Sequence, residues 1–166
     1  MNYKKKLKKI RTFIFDVDGV LTDGKVILHP SGEQLRSMNV KDGMAIRQAI
    51  KKGYLVAIIS GGNGKGLIER FKHLKINDYY LGCDDKKDAL SDLIHIYDIE
   101  REKILYMGDD INDWEVMKEV GLSTCPQDAV PEIKSIADYI SHKNGGHGCV
   151  REIIEQTLKA QGTWIS

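Results

Sequence analysis

Cysteine is scarce in this chain of 166 residues: Cys83, Cys125 and Cys149 are its 3 thiols, an odd number at wide spacing. That excludes the disulfide framework of a small secreted domain and fits reduced, buried or half-buried thiols. Paired metal-ligand spacings are missing too. His142, His147 and Cys149 lie close together in a glycine-rich stretch, but no CxxC or HxxxH pair accompanies them, so a zinc site is not expected. No run approaches the roughly 18 apolar residues of a spanning helix, and the lysine-rich start leads into no secretory apolar segment. A cytoplasmic protein without membrane association is the expectation. Nor does one sign of charge dominate: 25 basic residues face 24 acidic ones, for a formal charge of +1. The balance is uneven, because residues 4–11 (KKKLKKIR) concentrate basic side chains and leave an acidic body. Without an aromatic-rich basic surface, that arm reads as a solvated leader rather than a nucleic-acid contact.

What the chain does have is the composition of a globular protein, 42% apolar and 30% charged, in a length that suits one domain over residues 1–166. Short apolar runs alternate with amphipathic stretches, as in an α/β fold with a Rossmann-like parallel sheet and helices on both faces. Strands are expected at Thr12–Phe15, Leu55–Ile59, Tyr79–Leu81, Ile104–Met107, Leu122–Thr124 and Tyr139–Ser141. Leu90, Leu93, Ile94 and Tyr97 repeat with helical spacing, as do Val150, Ile153, Ile154, Thr157 and Leu158. Residues 20–39 break the alternation: Lys25–Leu28 and Gln34–Met38 flank the turn His29-Pro30-Ser31-Gly32, which predicts a projecting β-hairpin flap. The tail, residues 161–166, lacks helical patterning yet carries Trp164 and Ile165, and an apolar tail needs a surface to bury on.

Chemistry concentrates where strands end. Asp16-Val17-Asp18-Gly19 follows the first strand, and ligands of open α/β sheets bind at that edge. An EF-hand would need an oxygen ligand at Val20 and a glutamate at Ile27. Ser60-Gly61-Gly62 follows the second strand, Lys86 the third, and Gly108-Asp109-Asp110-Ile111-Asn112-Asp113 the fourth. Singly, Ser60 reads as a helix cap, Lys86 as a solvated lysine and Asp109 to Asp113 as a capping cluster. Four equivalent strand ends carrying an acid pair, a hydroxyl, an ammonium and an acid cluster make a site the better reading. SGGNGKG is not a P-loop, since Lys65 is followed by Gly66 and position 59 is Ile, and no GxGxxG occurs.

These residues resemble the four motifs of the haloacid dehalogenase superfamily of phosphatases, matched in order by Asp16/Asp18, Ser60, Lys86 and Asp109/Asp113. The chain is similar in particular to the 3-deoxy-D-manno-octulosonate (KDO) 8-phosphate phosphatases of lipopolysaccharide precursor synthesis. FDVDGVLTDG at 15–24, SGE at 31–33, NVKDG at 39–43, YMGDDINDWEVM at 106–117 and NGGHGCVRE at 144–152 carry that likeness. The resemblance implies Asp16 as nucleophile forming an aspartyl-phosphate, and Asp18 as general acid and base. Ser60, Gly61, Gly62 and Lys86 would hold the phosphoryl group. Mg²⁺ would be bound by Asp16, the Asp18 carbonyl and Asp109, with Asp110 and Asp113 supporting from behind. Related transport ATPases place threonine at the second position, so Asp18 favours a phosphatase.

The resemblance also implies a capless core. Residues 20–39 hold only the hairpin, and residues 61–85 between the second and third motifs leave no room for a lid. Homotetramers in which neighbouring hairpins cover each site would close it, with Trp164 of the tail reaching a neighbour's cleft. Phosphatases of nine-carbon, sialic-type sugar acids carry glutamate where this chain has Gly62, which favours the eight-carbon substrate. The usual loop arginine is replaced, with Asn63 here, so Arg70, Lys65 or Lys41 is the expected cation for the sugar acid. A nine-carbon sugar acid phosphatase, a non-catalytic oligomerisation domain of this fold and a protein phosphatase are the competing expectations.

Overall fold

In the computed structural model, which describes residues 2–165, every residue of β1 (Thr12–Phe15) is buried because the strand lies mid-sheet with helices over both faces. Alternate side chains point to opposite faces of a strand. Phe13 and Phe15 accordingly enter one apolar cluster and Ile14 the other. The other strands are β2 (Ile27–Leu28), β3 (Gln34–Leu35), β4 (Leu55–Ile59), β5 (Asp78–Tyr80), β6 (Ile104–Met107), β7 (Leu122–Cys125) and β8 (Tyr139–Ile140). Six of them form a sheet in the order β5-β4-β1-β6-β7-β8, with every neighbouring pair parallel.

Helices α1 (Tyr3–Leu7), α2 (Val40–Lys51), α3 (Lys65–Leu74) and α7 (Cys149–Ala160) cover one face through Leu7, Ile46, Phe71 and Ile153. On the other face, α4 (Lys86–Tyr97), α5 (Trp114–Met117) and α6 (Pro131–Ile136) contribute Leu90, Leu93, Val116 and Ile133. This is the expected α/β layering. Strand ends differ by a residue or so from the sequence reading, as terminal pairing depends on the neighbouring strand.

The hairpin forms, but β2 and β3 pair over two residues each rather than over 25–28 and 34–38. No layer covers it, and Ile27 and Leu28 are 65% and 78% exposed. The basic arm is not a plain solvated leader. Part of it folds as α1, anchored by buried Leu7, by Tyr3 stacked on Tyr139 at 4.5 Å and by a 2.9 Å ion pair from Lys6 to Asp138. Trp164, expected at a neighbour's cleft, has a seat on its own subunit. It packs on its own core beneath the Arg151 guanidinium, 5.4 Å from the ring centroid, because the last turn of α7 leads it back over α2. Met1 and Ser166, the two ends of the expected domain and tail, lie outside the described residues.

The start of α7 has no cap of its own, since Gly148 has no side chain to bond with. Asp42 of α2 substitutes from the adjacent helix, its Oδ1 accepting the Arg151 N–H at 2.9 Å. Its Oδ2 is buried without a partner, and burial, only partly offset by that amide and by the Gly148 amide, raises the carboxyl to about 6. A folded-state value above the unfolded one means that this group favours the fold less and less as pH climbs from about 4 to about 6. Asp42→Asn keeps the acceptor oxygen and removes the charge. Melting curves should show the variant gaining on wild type by about 1–3 kcal/mol between pH 4 and pH 7.5; a constant difference would show that the carboxyl does not titrate in that window.

Candidate active site

Because β1, β4, β5 and β6 are parallel, their C-terminal ends meet at one edge, and the segments that follow them converge there. After β1, Asp16 is tied to the neighbouring strand by its N–H to the Met107 carbonyl at 3.1 Å. Its Oδ1 accepts the Val17 N–H at 2.7 Å. The chain then turns through Gly19 at φ +86°, where a Cβ would lie 1.8 Å from Asp109 Oδ2. Only glycine admits both the left-handed backbone and that approach. The 144–148 stretch braces this turn from behind: Gly146 N–H donates to the Val20 carbonyl at 3.0 Å, and Cys149 Sγ lies 3.3 Å from the same oxygen.

After β4, the Ser60 N–H is bonded to the Tyr80 carbonyl of β5 at 2.9 Å, and its Oγ accepts the Gly62 N–H at 3.0 Å. Lys86 opens α4, where the helix dipole disfavours a cation. Two carboxylates hold it there: Asp113 Oδ1 at 2.7 Å and Asp16 Oδ2 at 3.1 Å. Burial works against the ammonium, but those two charges prevail and raise its pKa above the ordinary lysine value.

The loop after β6 folds back on itself as a short 3-10 turn, Ile111–Asp113, closed by a capping box between Asp110 and Asp113. Asp113 is fully buried and saturated. Oδ1 accepts Lys86 Nζ and the Tyr106 hydroxyl at 2.5 Å, and Oδ2 accepts the Asp109 and Asp110 N–H groups at 2.9 and 3.3 Å. A Cβ on Gly108 would stand 2.4 Å from Asp113 Cγ, so that glycine is what lets the carboxylate turn inward.

Asp16, Asp109 and Asp113 can bring one oxygen each within 4.8 Å of the others. Asp113 has no lone pair to spare, whereas Asp109 Oδ1 is buried with no partner at all. An orphaned carboxylate oxygen facing a second carboxylate suits a hard divalent cation, which takes oxygen ligands. Burial raises the Asp16 pKa, the Asp113 charge adds to it, and Lys86 opposes; burial followed by the charges of Asp16 and Asp113 raises that of Asp109. Both shifts describe acids waiting for a counter-charge.

Of the residues singled out from sequence, Asp16, Asp18, Ser60, Gly61, Gly62, Asp109 and Asp110 line a cleft of about 370 Å³, with Asn112. Lys86 and Asp113 sit behind its floor against Asp16. The cation paired with Asp18 at the mouth is none of Arg70, Lys65 or Lys41. It is Arg36, on the chain leaving β3, whose Nε lies 2.7 Å from Asp18 Oδ1. Lys65 and Arg70 line a separate, wider cleft, and Lys41 lines neither. Sequence offered only a weak signal for Arg36, a basic residue in a strand of an exposed hairpin. For Tyr106 the signal was a hydroxyl in an otherwise buried strand, which must find a partner.

Comparison with known proteins agrees with this arrangement. The haloacid dehalogenase-like hydrolase family matches residues 82–153, the segment that holds Lys86, Asp109 and Asp113. The 3-deoxy-D-manno-octulosonate 8-phosphate phosphatase KdsC of Salmonella typhi is 44% identical over 157 residues, covering 95% of this chain and 84% of its own. The chain belongs to the haloacid dehalogenase-like hydrolases. Among solved members, the 3-deoxy-D-manno-octulosonate 8-phosphate phosphatase of Yersinia pestis superposes with a TM-score of 0.96 at 39% identity, over 98% of this chain and 88% of that one. The Moraxella catarrhalis enzyme, solved in complex with magnesium, phosphate and KDO, superposes with a TM-score of 0.94 at 35% identity, over 99% and 95% of the two chains.

For a hydrolase of this family stripped of metal, the raised carboxyls make stability fall as pH rises from the ordinary carboxylate range toward and past neutrality. Asp109→Asn relieves the repulsion with Asp16. In EDTA the variant should therefore melt above wild type at about pH 8 and lose that advantage by about pH 5. Mg²⁺ should stabilise wild type and not the variant. Equal metal stabilisation of both would remove Asp109 from the cation site.

Proposed function

We propose that this protein is a Mg²⁺-dependent phosphatase that hydrolyses 3-deoxy-D-manno-octulosonate 8-phosphate to KDO and inorganic phosphate, in lipopolysaccharide precursor synthesis. The carrying observation is the buried Asp16–Lys86–Asp113 cluster, which presents one carboxylate oxygen beside an ammonium at the sheet edge. The likeness to phosphatases named for that substrate supports the choice of sugar.

Asp16 is the nucleophile. Val17 N–H and Lys86 orient its carboxylate, and one of its oxygens bonds to phosphorus while the bond from phosphorus to the sugar oxygen breaks. The electron pair stays on the sugar oxygen, which takes a proton from Asp18. Asp18 then takes a proton from water as the water oxygen attacks phosphorus and the bond to Asp16 breaks, releasing phosphate. Such acid–base work contributes about 10² to 10⁴ in rate. Ser60 and the Gly61 amide hold phosphoryl oxygens, and Lys86 offsets their charge. Asp16, Asp109 and the Asp18 backbone carbonyl would hold Mg²⁺, whose chemistry is to neutralise charge between carboxylate and phosphate. Asp113, and Asp110 at the capped turn, keep the Asp109 loop in place.

Gly62 favours the eight-carbon over the nine-carbon sugar acid. A Cβ there would stand 2.9 Å from both Arg36 Nη2 and Asp18 Oδ2, so a glutamate and Arg36 could not share that space as it is now filled. The active unit is a cytoplasmic homotetramer of one-domain, capless subunits. Exposed Val26, Ile27, Leu28 and Leu35 on the hairpin are the apolar surface for it. Consistent with the location, the three thiols are free and, among the described residues, no helix is long and apolar enough to cross a membrane.

Phosphate release from a panel of sugar phosphates tests the reading. KDO 8-phosphate should be the best substrate, Mg²⁺-dependent, and Asp16→Asn should lose at least about 10³-fold in kcat. A variant as active as wild type would refute the nucleophile, and preference for a nine-carbon substrate would refute the sugar. Light scattering on Ile27→Asp/Leu28→Asp should give a smaller, less active species than the wild-type tetramer; an active wild-type monomer would refute the assembly.

A further inference from the structure

Arg36 engages both oxygens of Asp18: Nε donates to Oδ1 at 2.7 Å and Nη2 to Oδ2 at 3.2 Å. Its third nitrogen, Nη1, donates to the carbonyls of Asn63 at 3.2 Å and Gln34 at 3.4 Å. The guanidinium is thus strung between the hairpin, the Ser60 loop and the catalytic loop. Gly62 leaves the room it occupies. Arg36 also lines two clefts, the catalytic one and a wider one of about 1020 Å³ between the hairpin and α3, and among the described cations it alone lines both.

This pairing competes with a leaving group for Asp18. A general acid needs a proton on an oxygen that faces the leaving group, and a guanidinium has donors only. While Arg36 holds both oxygens, two of the lone-pair sites of Asp18 are filled by donors that belong to the hairpin side of the site. The group that competes best with a carboxylate for a planar, bidentate donor is another carboxylate.

We propose that Arg36 is a specificity residue that exchanges partners. The carboxylate of an acidic sugar phosphate lying in the wider cleft takes the guanidinium from Asp18, and Asp18 is thereby released to protonate the leaving oxygen. A neutral sugar phosphate brings no such group and leaves Asp18 clamped, so the enzyme selects for the acid at the chemical step as well as in binding. The proposal rests on the sugar acid phosphatase reading above and goes beyond it in naming the residue that reads the acid.

The test compares kcat/KM for KDO 8-phosphate and for sedoheptulose 7-phosphate, a neutral sugar phosphate of similar length. Wild type, Arg36→Gln and Arg36→Lys are measured, with each melting temperature checked. The preference for the acid should fall about 30-fold or more in Arg36→Gln, as expected for loss of a charged, bidentate contact, and should recover in part in Arg36→Lys. An equal loss on both substrates would make Arg36 only a support for Asp18 and overturn the proposal, as would no loss on either. If wild type hydrolyses neither compound, the phosphatase reading fails separately. Calorimetric titration of free KDO then decides on Arg36: binding lost in Arg36→Gln upholds the exchange, and equal binding overturns it.

Discussion

The mutual repulsion of buried carboxylates is the constraint on which this active site is built. Four acids, Asp16, Asp18, Asp109 and Asp113, converge where two neighbouring parallel strands end, and three of them can bring oxygens within 4.8 Å of one another. Left alone, such a cluster would protonate or spread apart. Cations of the chain hold it instead. Lys86 is clamped between Asp16 and Asp113 beneath the floor, and Arg36 spans Asp18 at the mouth. One oxygen, Asp109 Oδ1, is left for a charge the chain does not provide.

The surrounding architecture holds the charges beneath the floor in place. Asp113 is saturated by four donors, so it serves the Asp109 loop rather than a ligand. Gly19 and Gly108 let the Asp109 and Asp113 carboxylates approach the backbone within distances that any Cβ would forbid. The Gly19 turn is braced by residues 144–148, which continue into α7, and α7 is in turn capped by Asp42 of α2. A chain of contacts therefore runs from the helix layer to the catalytic loop. The glycine-rich stretch that held two histidines and a cysteine without a metal-like spacing is a brace, with Cys149 buried under Val20.

The proposed chemistry and the proposed recognition occupy different parts of the fold. Core strands, buried on both faces, carry at their ends the residues proposed to act on phosphorus. The hairpin, short and exposed, carries Arg36 and the apolar side chains Ile27 and Leu28. The flap buries little surface against its own subunit, while the central strands beneath it are buried on both faces.

Much of this was legible in the residues. Apolar runs at 12–15, 55–59 and 104–107 predict buried parallel strands because burial on both faces demands unbroken hydrophobicity, and acids placed directly after them must emerge at one edge. The sequence by itself thus determined the layer order, the edge that carries the chemistry and the acid, hydroxyl and ammonium groups that meet there. Only the tertiary structure decided which cation reaches Asp18, because Arg36 is distant along the chain and arrives through the space over Gly62. The saturation of Asp113 by the Tyr106 hydroxyl, the Asp42 cap on α7 and the return of Trp164 to its own core were equally hidden. Each is a contact between elements that share no periodicity, and local pattern carries no information about the distances that packing sets.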